Sequence, residues 1–251
     1  GVNITVGERA DESRRLNEPF ANWIRRQLPL VTLKTALTLD GFIASPDRKN
    51  RNSRWITSPE ARDQVQLLRH ASDALVTGIG TVLVDDPRLT DRTGRARRSP
   101  LLRVVVDSRL RLPLHSKLVK SARGDVLVFT TVPLDSARAR ALLRAGIEIV
   151  RVPSRRQRVD LQAALRELGR RQILSVLLEA GSKLNGAALE AGIVDKMILF
   201  FAPRVFGSGV PFAMGRNRNM AAIPPLRDIS LDRIGPDFVV EGYLRDVYRN
   251  R

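Results

Sequence analysis

The chain has 251 residues, 43% hydrophobic and 27% charged, which are the proportions of a globular protein with one full core or two small ones. It contains no cysteine and only two histidines, so disulfides and thiolate chemistry are excluded and a metal site is not expected. No apolar run approaches the roughly 20 residues of a membrane-spanning helix, and the N-terminus is polar, unlike a secretory signal. The composition predicts a cytoplasmic protein that uses carboxylates, lysines, arginines, hydroxyls or a cofactor.

The formal net charge is +17, and the basic residues form short clusters spread along the chain. Such a charge is typical of nucleic-acid-binding proteins. However, aromatic residues make up only 5% of the chain and do not alternate with the basic clusters, so no stacking platform for single strands is visible. A solvated arginine-rich surface and an attraction for small phosphorylated ligands are the simpler interpretations, and nucleic acid is not the expected partner.

The first 29 residues do not resemble the start of a core. The segment 11–24 predicts a short helix that Pro19 interrupts or restarts. Its apolar side chains would share one side: Leu16, Phe20, Trp23 and Ile24. We expect residues 1–29 to form a linker or helix that packs on another part of the protein, and residues 30–248 to form the main domain.

From residue 29 onward, apolar runs of strand length alternate with helical patterns. A central strand opens residues 29–44 and ends before a turn at Asp40–Gly41, and later strands are predicted at 74–77, 102–107, 126–129, 147–150, 175–178 and 197–203. Helices are predicted after the capping-box pair Thr57 and Glu60 as far as Ala71, at 136–145, at 161–168 where Gly169 ends the helix, and between 184 and 192. Residues 229–234 and 238–244 read as a hairpin. The pattern predicts an α/β fold with a mostly parallel sheet, helices on both faces and a C-terminal antiparallel hairpin.

The segment Leu177–Leu189 has the order strand, glycine turn, helix. Glycines allow a close approach of the backbone to a ligand, and the free N–H groups and dipole of a helix start suit a phosphate. Glu179 stands at the carboxyl end of the strand, where open α/β sheets place their chemistry. An ordinary strand-to-helix turn would carry the same glycines, so these residues alone leave both interpretations open. A second glycine turn, Gly78–Thr81, follows the strand at 74–77.

Six segments, taken in order, resemble the reductase half of the bifunctional riboflavin-biosynthesis deaminase/reductase family. They are VTLKTALTLDGFIA (31–44), SRWITSPEARDQVQLLR (53–69), TGIGTVLVDDPRLTDR (77–92), LRVVVDSRLRLP (102–113), SVLLEAGSKLNGAALEAGIVDK (175–196) and FFAPRVFGSG (200–209). The resemblance implies a fold like that of dihydrofolate reductase and a homodimer. It also implies the NADPH-dependent reduction of 5-amino-6-(5-phosphoribosylamino)uracil to 5-amino-6-(5-phosphoribitylamino)uracil. Residues 1–23 resemble the junction to a deaminase domain that this sequence does not contain, so a fragment and a separate reductase both stay open.

The resemblance also implies site residues, position by position. The implied cofactor contacts are Ala36, Trp55, Thr81, Asp85, Ser108, Gly181, Ser182, Lys183, Leu184, Asn185, Gly186 and Ala187. The implied substrate contacts are Lys34, Ser53, Arg69, Leu89, Arg92 and Glu179. Trp55 also fits a core aromatic and Ser108 a turn hydroxyl. The guanidinium groups of Arg69 and Arg92 suit the phosphate of the substrate, although either also fits a surface charge.

Lys34 and Glu179 are the predicted catalytic residues, because a charge on a central strand needs a partner or a function. A mutual salt bridge is the structural alternative. In the catalytic hypothesis they organise the ribose and the pyrimidine, and Lys34, or a water that it holds, supplies a proton as C1′ takes hydride. Asp40 is a lesser candidate, since Asp-Gly after a strand is ordinary turn chemistry.

Two other functions stay open. A related NADPH reductase acting on a pterin or another substrate would keep the turn at Gly181 without needing Lys34, Arg69 and Arg92 together. A basic nucleic-acid-binding protein on a degenerate reductase scaffold would lose affinity steeply with salt and would not bind NADPH.

Overall fold

The computed structural model describes residues 2–3, 5–45, 55–215 and 223–248. Within these ranges the helices are α1 (Ala10–Arg26), α2 (Pro59–Ala71), α3 (Ile79–Asp85), α4 (Lys117–Lys120), α5 (Ala137–Arg144), α6 (Leu161–Arg170) and α7 (Ser182–Glu190). The strands are β1 (Leu30–Thr38), β2 (Phe42–Ala44), β3 (Ala74–Gly78), β4 (Leu102–Val106), β5 (Val126–Thr130), β6 (Glu148–Arg151), β7 (Ser154–Arg155), β8 (Arg158–Val159), β9 (Ser175–Leu178), β10 (Lys196–Ala202), β11 (Val210–Pro211), β12 (Arg227–Ile234) and β13 (Asp237–Tyr243).

In the described part of the chain, nine strands form one sheet in the order β12-β13-β10-β1-β9-β3-β4-β5-β6. All neighbours from β10 to β6 are parallel. Strand β13 pairs antiparallel with β10, and β12 pairs antiparallel with β13. The predicted α/β architecture with a C-terminal antiparallel hairpin is confirmed.

Both faces of the parallel part are covered by helices, which explains its nearly continuous apolar strands. Strand β9 illustrates this: Val176 and Leu178 pack with α6 and α7 on one face, and Leu177 packs with α3, α4 and α5 on the other. Among the described helices, none has the length and apolar character needed to cross a bilayer.

The structure corrects three local predictions. Helix α1 continues through Pro19 without interruption. Ser58, rather than Thr57, caps α2, because its Oγ accepts a hydrogen bond from the Ala61 N–H at 3.2 Å. Helix α6 passes through Gly169 and ends at Arg170. This glycine serves a close contact instead of a stop, since an added Cβ would lie 2.2 Å from the carbonyl oxygen of Gln27.

Helix α1 turns its polar side to the protein and its apolar side outward. Glu18 and Asn22 are buried, whereas Leu16, Phe20 and Ile24 are between 53% and 83% exposed. The apolar side predicted for this helix is therefore turned outward at these three residues. Burial of apolar groups is a tendency, and specific hydrogen bonds to a polar face can override it.

Polar contacts hold α1 in this orientation. Asn22 donates from Nδ2 to the Leu28 carbonyl at 2.9 Å and accepts from Arg26 Nη1 at 3.1 Å. The hydroxyl of Tyr243 donates to Glu18 Oε1 at 2.6 Å. These bonds join the helix to the start of β1 and to the end of β13.

The orientation of α1 is tested by two substitutions on opposite sides of the helix. We expect Asn22→Ala to lower the free energy of unfolding by about 1–3 kcal/mol, because it leaves the Leu28 carbonyl without its donor. Phe20→Ser removes an exposed ring and should change it by less than about 0.5 kcal/mol. Urea unfolding followed by circular dichroism measures both, and the reverse ranking would contradict the orientation.

Candidate active site

The candidate catalytic residues meet at the centre of the sheet. Leu33 of β1 pairs with Leu178 of β9, so the next residues, Lys34 and Glu179, continue two adjacent parallel strands. On the other side of β9, the Glu179 N–H donates to the Val76 carbonyl of β3 at 3.0 Å. Strand order therefore brings together residues that are far apart in the sequence.

Glu179 forms its ion pair with Arg69, which α2 places near its C-terminal end. Arg69 Nε lies 2.7 Å from Oε1 of Glu179, and Nη2 lies 2.9 Å from Oε2. Arg69 Nη1 also donates to the Thr90 carbonyl at 3.0 Å. The side chains of Arg69 and Glu179 are only 15% and 14% exposed. Such a bidentate, largely buried pair has a fixed geometry.

Lys34 has no ion pair with Glu179, so the predicted structural alternative of a mutual salt bridge is wrong. Within the described ranges, its ammonium has neither a hydrogen-bond nor an ion-pair partner, and Nζ lies 5.4 Å from the centroid of the Phe200 ring. Burial lowers the pKa of Lys34; the Glu179 carboxylate opposes this shift and the charge of Arg69 adds to it. Lys34 is therefore a stronger acid than a lysine in water.

Glu179 is held as a carboxylate. Burial by itself would raise its pKa, but the hydrogen bonds from Arg69 and the positive charges of Lys34 and Arg69 outweigh this, and the pKa lies below its ordinary value. At neutral pH Glu179 is therefore an acceptor of hydrogen bonds and does not supply a proton.

The other predicted substrate contacts are placed unequally. Arg92 is exposed, and among the described residues nothing engages its guanidinium, while its backbone N–H donates to Gln66 Oε1 at 3.2 Å. Leu89 is buried in the core with a left-handed φ of 57°, so only its backbone is placed to meet a ligand. Ser53 lies outside the described residues. Arg92 is thus a more available phosphate ligand than Arg69, which is committed to Glu179.

The two glycine turns lie side by side, because β3 and β9 are neighbours. An added Cβ at Gly78 would lie 3.3 Å from the Leu184 side chain, and one at Gly181 would lie 3.8 Å from Thr81 Oγ1. Gly78 caps α3 and Gly181 caps α7, and neither supplies a side-chain cap. Two helix N-termini with uncapped N–H groups therefore start in one place, which suits a negatively charged ligand.

Unpartnered polar atoms support a ligand at these turns. Three buried oxygens, Thr77 Oγ1, Ser182 Oγ and Asn185 Oδ1, accept or donate no hydrogen bond among the residues that the structure describes. Buried hydroxyls without partners are rare and call for an explanation such as a missing ligand or water. The backbone and hydroxyl groups around Gly181 thus fit the phosphates of a dinucleotide, and Lys183 adds an exposed positive charge.

Later residues of the predicted glycine turn have an internal role. Asn185 is buried and donates from Nδ2 to the Phe212 carbonyl at 3.0 Å. An added Cβ at Gly186 would lie 2.4 Å from the Met214 carbonyl oxygen, so this glycine permits the approach of residues 212–214. Ala187 is only partly buried in the middle of α7. We therefore restrict the proposed dinucleotide contacts of this segment to its first residues.

The remaining predicted cofactor residues lie in different surroundings. Trp55 is 53% exposed with Arg62 Cζ 4.9 Å from its ring centroid, so it is not a core aromatic. Ser108 follows β4 and accepts a hydrogen bond from the Val159 N–H at 3.0 Å, which is the predicted structural role of a turn hydroxyl. Ala36 lies on β1 facing α2, and Asp85 is the exposed last residue of α3.

Sequence reasoning missed several residues that shape the site. The Thr90 carbonyl and Gln66 hold the segment around Arg92, and Phe200 supplies the ring beside Lys34. Thr90 takes part through its backbone carbonyl, a group that every residue has, so the sequence does not indicate that Thr90 belongs to the site. Asp40 proves structural, because its carboxylate accepts the N–H groups of Phe206 and Gly207.

Comparisons with known proteins identify the family of the chain. The model of the RibD C-terminal domain matches residues 29–240. The riboflavin biosynthesis protein RibD of Actinobacillus pleuropneumoniae is 39% identical over 207 residues, which are 82% of this chain and 54% of that protein. The structure of Acinetobacter baumannii RibD is 28% identical with a TM-score of 0.79, and the match covers 93% of this chain and 63% of that one.

The name of a third relative contains two enzyme activities. The Thermotoga maritima diaminohydroxyphosphoribosylaminopyrimidine deaminase/5-amino-6-(5-phosphoribosylamino)uracil reductase is 30% identical with a TM-score of 0.75, over 93% of this chain and 61% of that one. The chain thus spans 54% of the length of the Actinobacillus protein and 66% of that of Escherichia coli RibD. The chain belongs to the RibD C-terminal domain family.

Proposed function

We propose that this chain is an NADPH-dependent reductase that converts 5-amino-6-(5-phosphoribosylamino)uracil to its ribitylamino product in riboflavin biosynthesis. The observation that carries the proposal is the ammonium of Lys34, which pairs with none of the described residues and lies beside the Arg69–Glu179 ion pair. The reductase named in the Thermotoga relative supports the choice of substrate. A substrate with a phosphate and several polar ring atoms needs fixed charges of both signs, and this site provides them.

NADPH is the proposed cofactor, and when bound it supplies the hydride. Gly181, Ser182 and Lys183 would hold its pyrophosphate at the start of α7, with Thr81 from the adjoining turn. Trp55 offers an exposed flat surface for a ring. The assignment is supported by the two uncapped helix starts and by the buried hydroxyls of Thr77 and Ser182, for which the described part of the chain offers no partner.

The side chains of this site would bind the substrate and supply the proton. Arg92 would pair with the substrate phosphate, since its guanidinium is exposed and suits bidentate contacts. The Glu179 carboxylate, fixed by Arg69, would accept hydrogen bonds from the ribose or the pyrimidine. In the ring-opened imine form of the substrate, C1′ takes hydride and the C1′–N double bond becomes a single bond. Lys34 would hold a proton at Nζ and deliver it, directly or through a water, to that nitrogen. Its lowered pKa favours this step because a general acid works best when its pKa approaches the working pH.

We also propose a cytoplasmic homodimer that works with a deaminase domain, as the family resemblance implies. The deaminase named together with the reductase in the Thermotoga protein supports this partner. Light scattering of the purified chain measures the dimer directly, and a monomer at assay concentrations would contradict it.

The function is tested by following NADPH oxidation with the deaminated phosphoribosylamino-pyrimidine. We expect turnover with this substrate and none with dihydrofolate or with the undeaminated pyrimidine. Turnover with dihydrofolate alone would favour the pterin reductase. Salt-sensitive RNA binding without NADPH binding would favour the nucleic-acid-binding alternative.

A further inference from the structure

The loop that carries Arg92 needs support from outside itself. Residues 86–101 join α3 to β4 without helix or strand. Two of them, Asp86 and Leu89, have left-handed φ values of 41° and 57° although neither is a glycine. Such conformations persist where surrounding contacts hold them. The contacts that hold this loop therefore determine the position of Arg92.

Arg97 makes the largest set of these contacts at the C-terminal end of α2. Its Nη1 donates to the carbonyl oxygens of Arg69 at 3.0 Å and His70 at 2.7 Å, and its Nη2 donates to that of Ser72 at 2.6 Å. The last carbonyls of a helix lack partners within the helix, and a cation is favourable there. Arg97 is 18% exposed, so these bonds are largely shielded from water.

Arg97 also contacts Asp91, which belongs to the same loop. Its Nη1 lies 3.3 Å from Asp91 Oδ2, and the same oxygen lies 2.7 Å from Nδ1 of His70. The other oxygen of Asp91 accepts the Thr93 N–H at 2.9 Å. One guanidinium thus holds both the end of α2 and the middle of the loop.

The two neighbours of Asp91 are bound to α2 through their backbone groups. The Thr90 carbonyl accepts from Arg69 Nη1 at 3.0 Å, and the Arg92 N–H donates to Gln66 of α2 at 3.2 Å. Asp91 thus contacts α2 through His70, and the backbone groups of its two neighbours contact Arg69 and Gln66 of the same helix. Together these contacts fix the backbone from which the Arg92 side chain extends.

We propose that Arg97 is a positioning residue that sets Arg92 for the phosphate of the substrate; this rests on the proposed function. Arg97 does not touch the substrate. It acts by holding the loop against α2, and its loss lets Arg92 sample many positions while the Arg69–Glu179 pair and Lys34 stay in place. The effect then falls on substrate affinity and leaves the cofactor site unchanged.

The test is a double-mutant cycle between Arg97→Ala and Arg92→Ala. In the parent chain we expect Arg97→Ala to raise the KM for the phosphorylated substrate about tenfold or more, with the Kd for NADPH changed less than about twofold. In the Arg92→Ala background the same substitution should change KM by less than about twofold, because the group that it positions is gone. Arg97→Lys, which keeps a cation at the helix end, should recover part of the affinity.

Arg98→Ala is the matched control, because Arg98 is an exposed neighbour with the same charge. It should leave KM unchanged. Equal effects of Arg97→Ala in both backgrounds would show general loosening of the fold and overturn the proposal, as would an unchanged KM. If Arg97→Ala does not fold, the cycle is run with Arg97→Gln, which also removes the cation, against the same criteria. Absence of turnover in the parent chain would instead refute the proposed function.

Discussion

Lys34→Met is expected to abolish turnover while NADPH binding stays nearly intact. The substitution removes the proton donor and one positive charge from the substrate side of the site, and the glycine turns are untouched. General-acid catalysis typically contributes about a hundredfold or more, so kcat should fall by at least that factor. The measurement is single-turnover NADPH oxidation together with NADPH binding by fluorescence.

The fold should survive this substitution. Lys34 has no partner of opposite charge within bonding distance in the described structure, so methionine removes a desolvated charge without leaving a broken pair. We expect unchanged or slightly higher thermal stability. Lys120→Met, on an exposed residue at the end of α4, is the matched control and should keep full turnover. Unchanged turnover in Lys34→Met would refute the role of Lys34.

Glu179→Gln is expected to cost both activity and stability. Glutamine removes the negative charge between Arg69 and Lys34, and two desolvated cations then face each other. Breaking one partner of a buried ion pair typically costs about 3–5 kcal/mol, so we expect a loss of about 3 kcal/mol in the free energy of unfolding. Urea unfolding measures this loss, and the NADPH oxidation assay should detect no turnover.

A second substitution shows the electrostatic origin of the loss. Lys34→Met combined with Glu179→Gln should be more stable than Glu179→Gln alone, because one of the two uncompensated cations is removed. Asp63→Asn, on an exposed carboxylate of α2, is the control for the change of net charge. A double variant no more stable than the single one would contradict the explanation.

Because the pKa of Glu179 is lowered, we expect the free energy of unfolding to depend on pH. The pKa of Glu179 in the folded protein lies below the ordinary 4.5. The contribution of the ionised carboxylate to the free energy of unfolding is therefore complete above that pH and is lost as the pH falls through the lowered folded value. In the Glu179→Gln variant this part of the acid sensitivity should be absent. Stability curves of the two proteins would then converge at low pH, and parallel curves would contradict the assignment.

Several of the arginines that contribute to the net charge of +17 stabilise the fold through contacts inside the protein. Arg103 is almost fully buried, pairs with Asp125 and donates to the Arg88 carbonyl at 2.8 Å. Arg97 binds the carbonyl oxygens at the end of α2, and Arg26 and Arg245 both contact Asp195. Several arginines thus act as supports for loops and helix ends. A guanidinium suits this because its planar set of donors can bind several oxygens at once.

The sequence by itself determined the α/β class, the order of strands and helices and the glycine turns. Apolar runs and turn residues are local signals, and they lead to a parallel sheet because its strands are buried on both faces. The resemblance to the reductase family rests on the same residues, and the family match over residues 29–240 confirms it.

Only the tertiary structure decided which charges are paired. Glu179 binds Arg69 instead of Lys34, because α2 delivers a guanidinium whose planar fork fits both carboxylate oxygens. The positions of these residues in the sequence do not indicate which of the two cations binds Glu179. The orientation of α1 was also beyond the sequence pattern, since Asn22 and Glu18 find buried partners that are remote in the chain. Local patterns record which residues are apolar, and the assembled fold decides which polar groups find a partner.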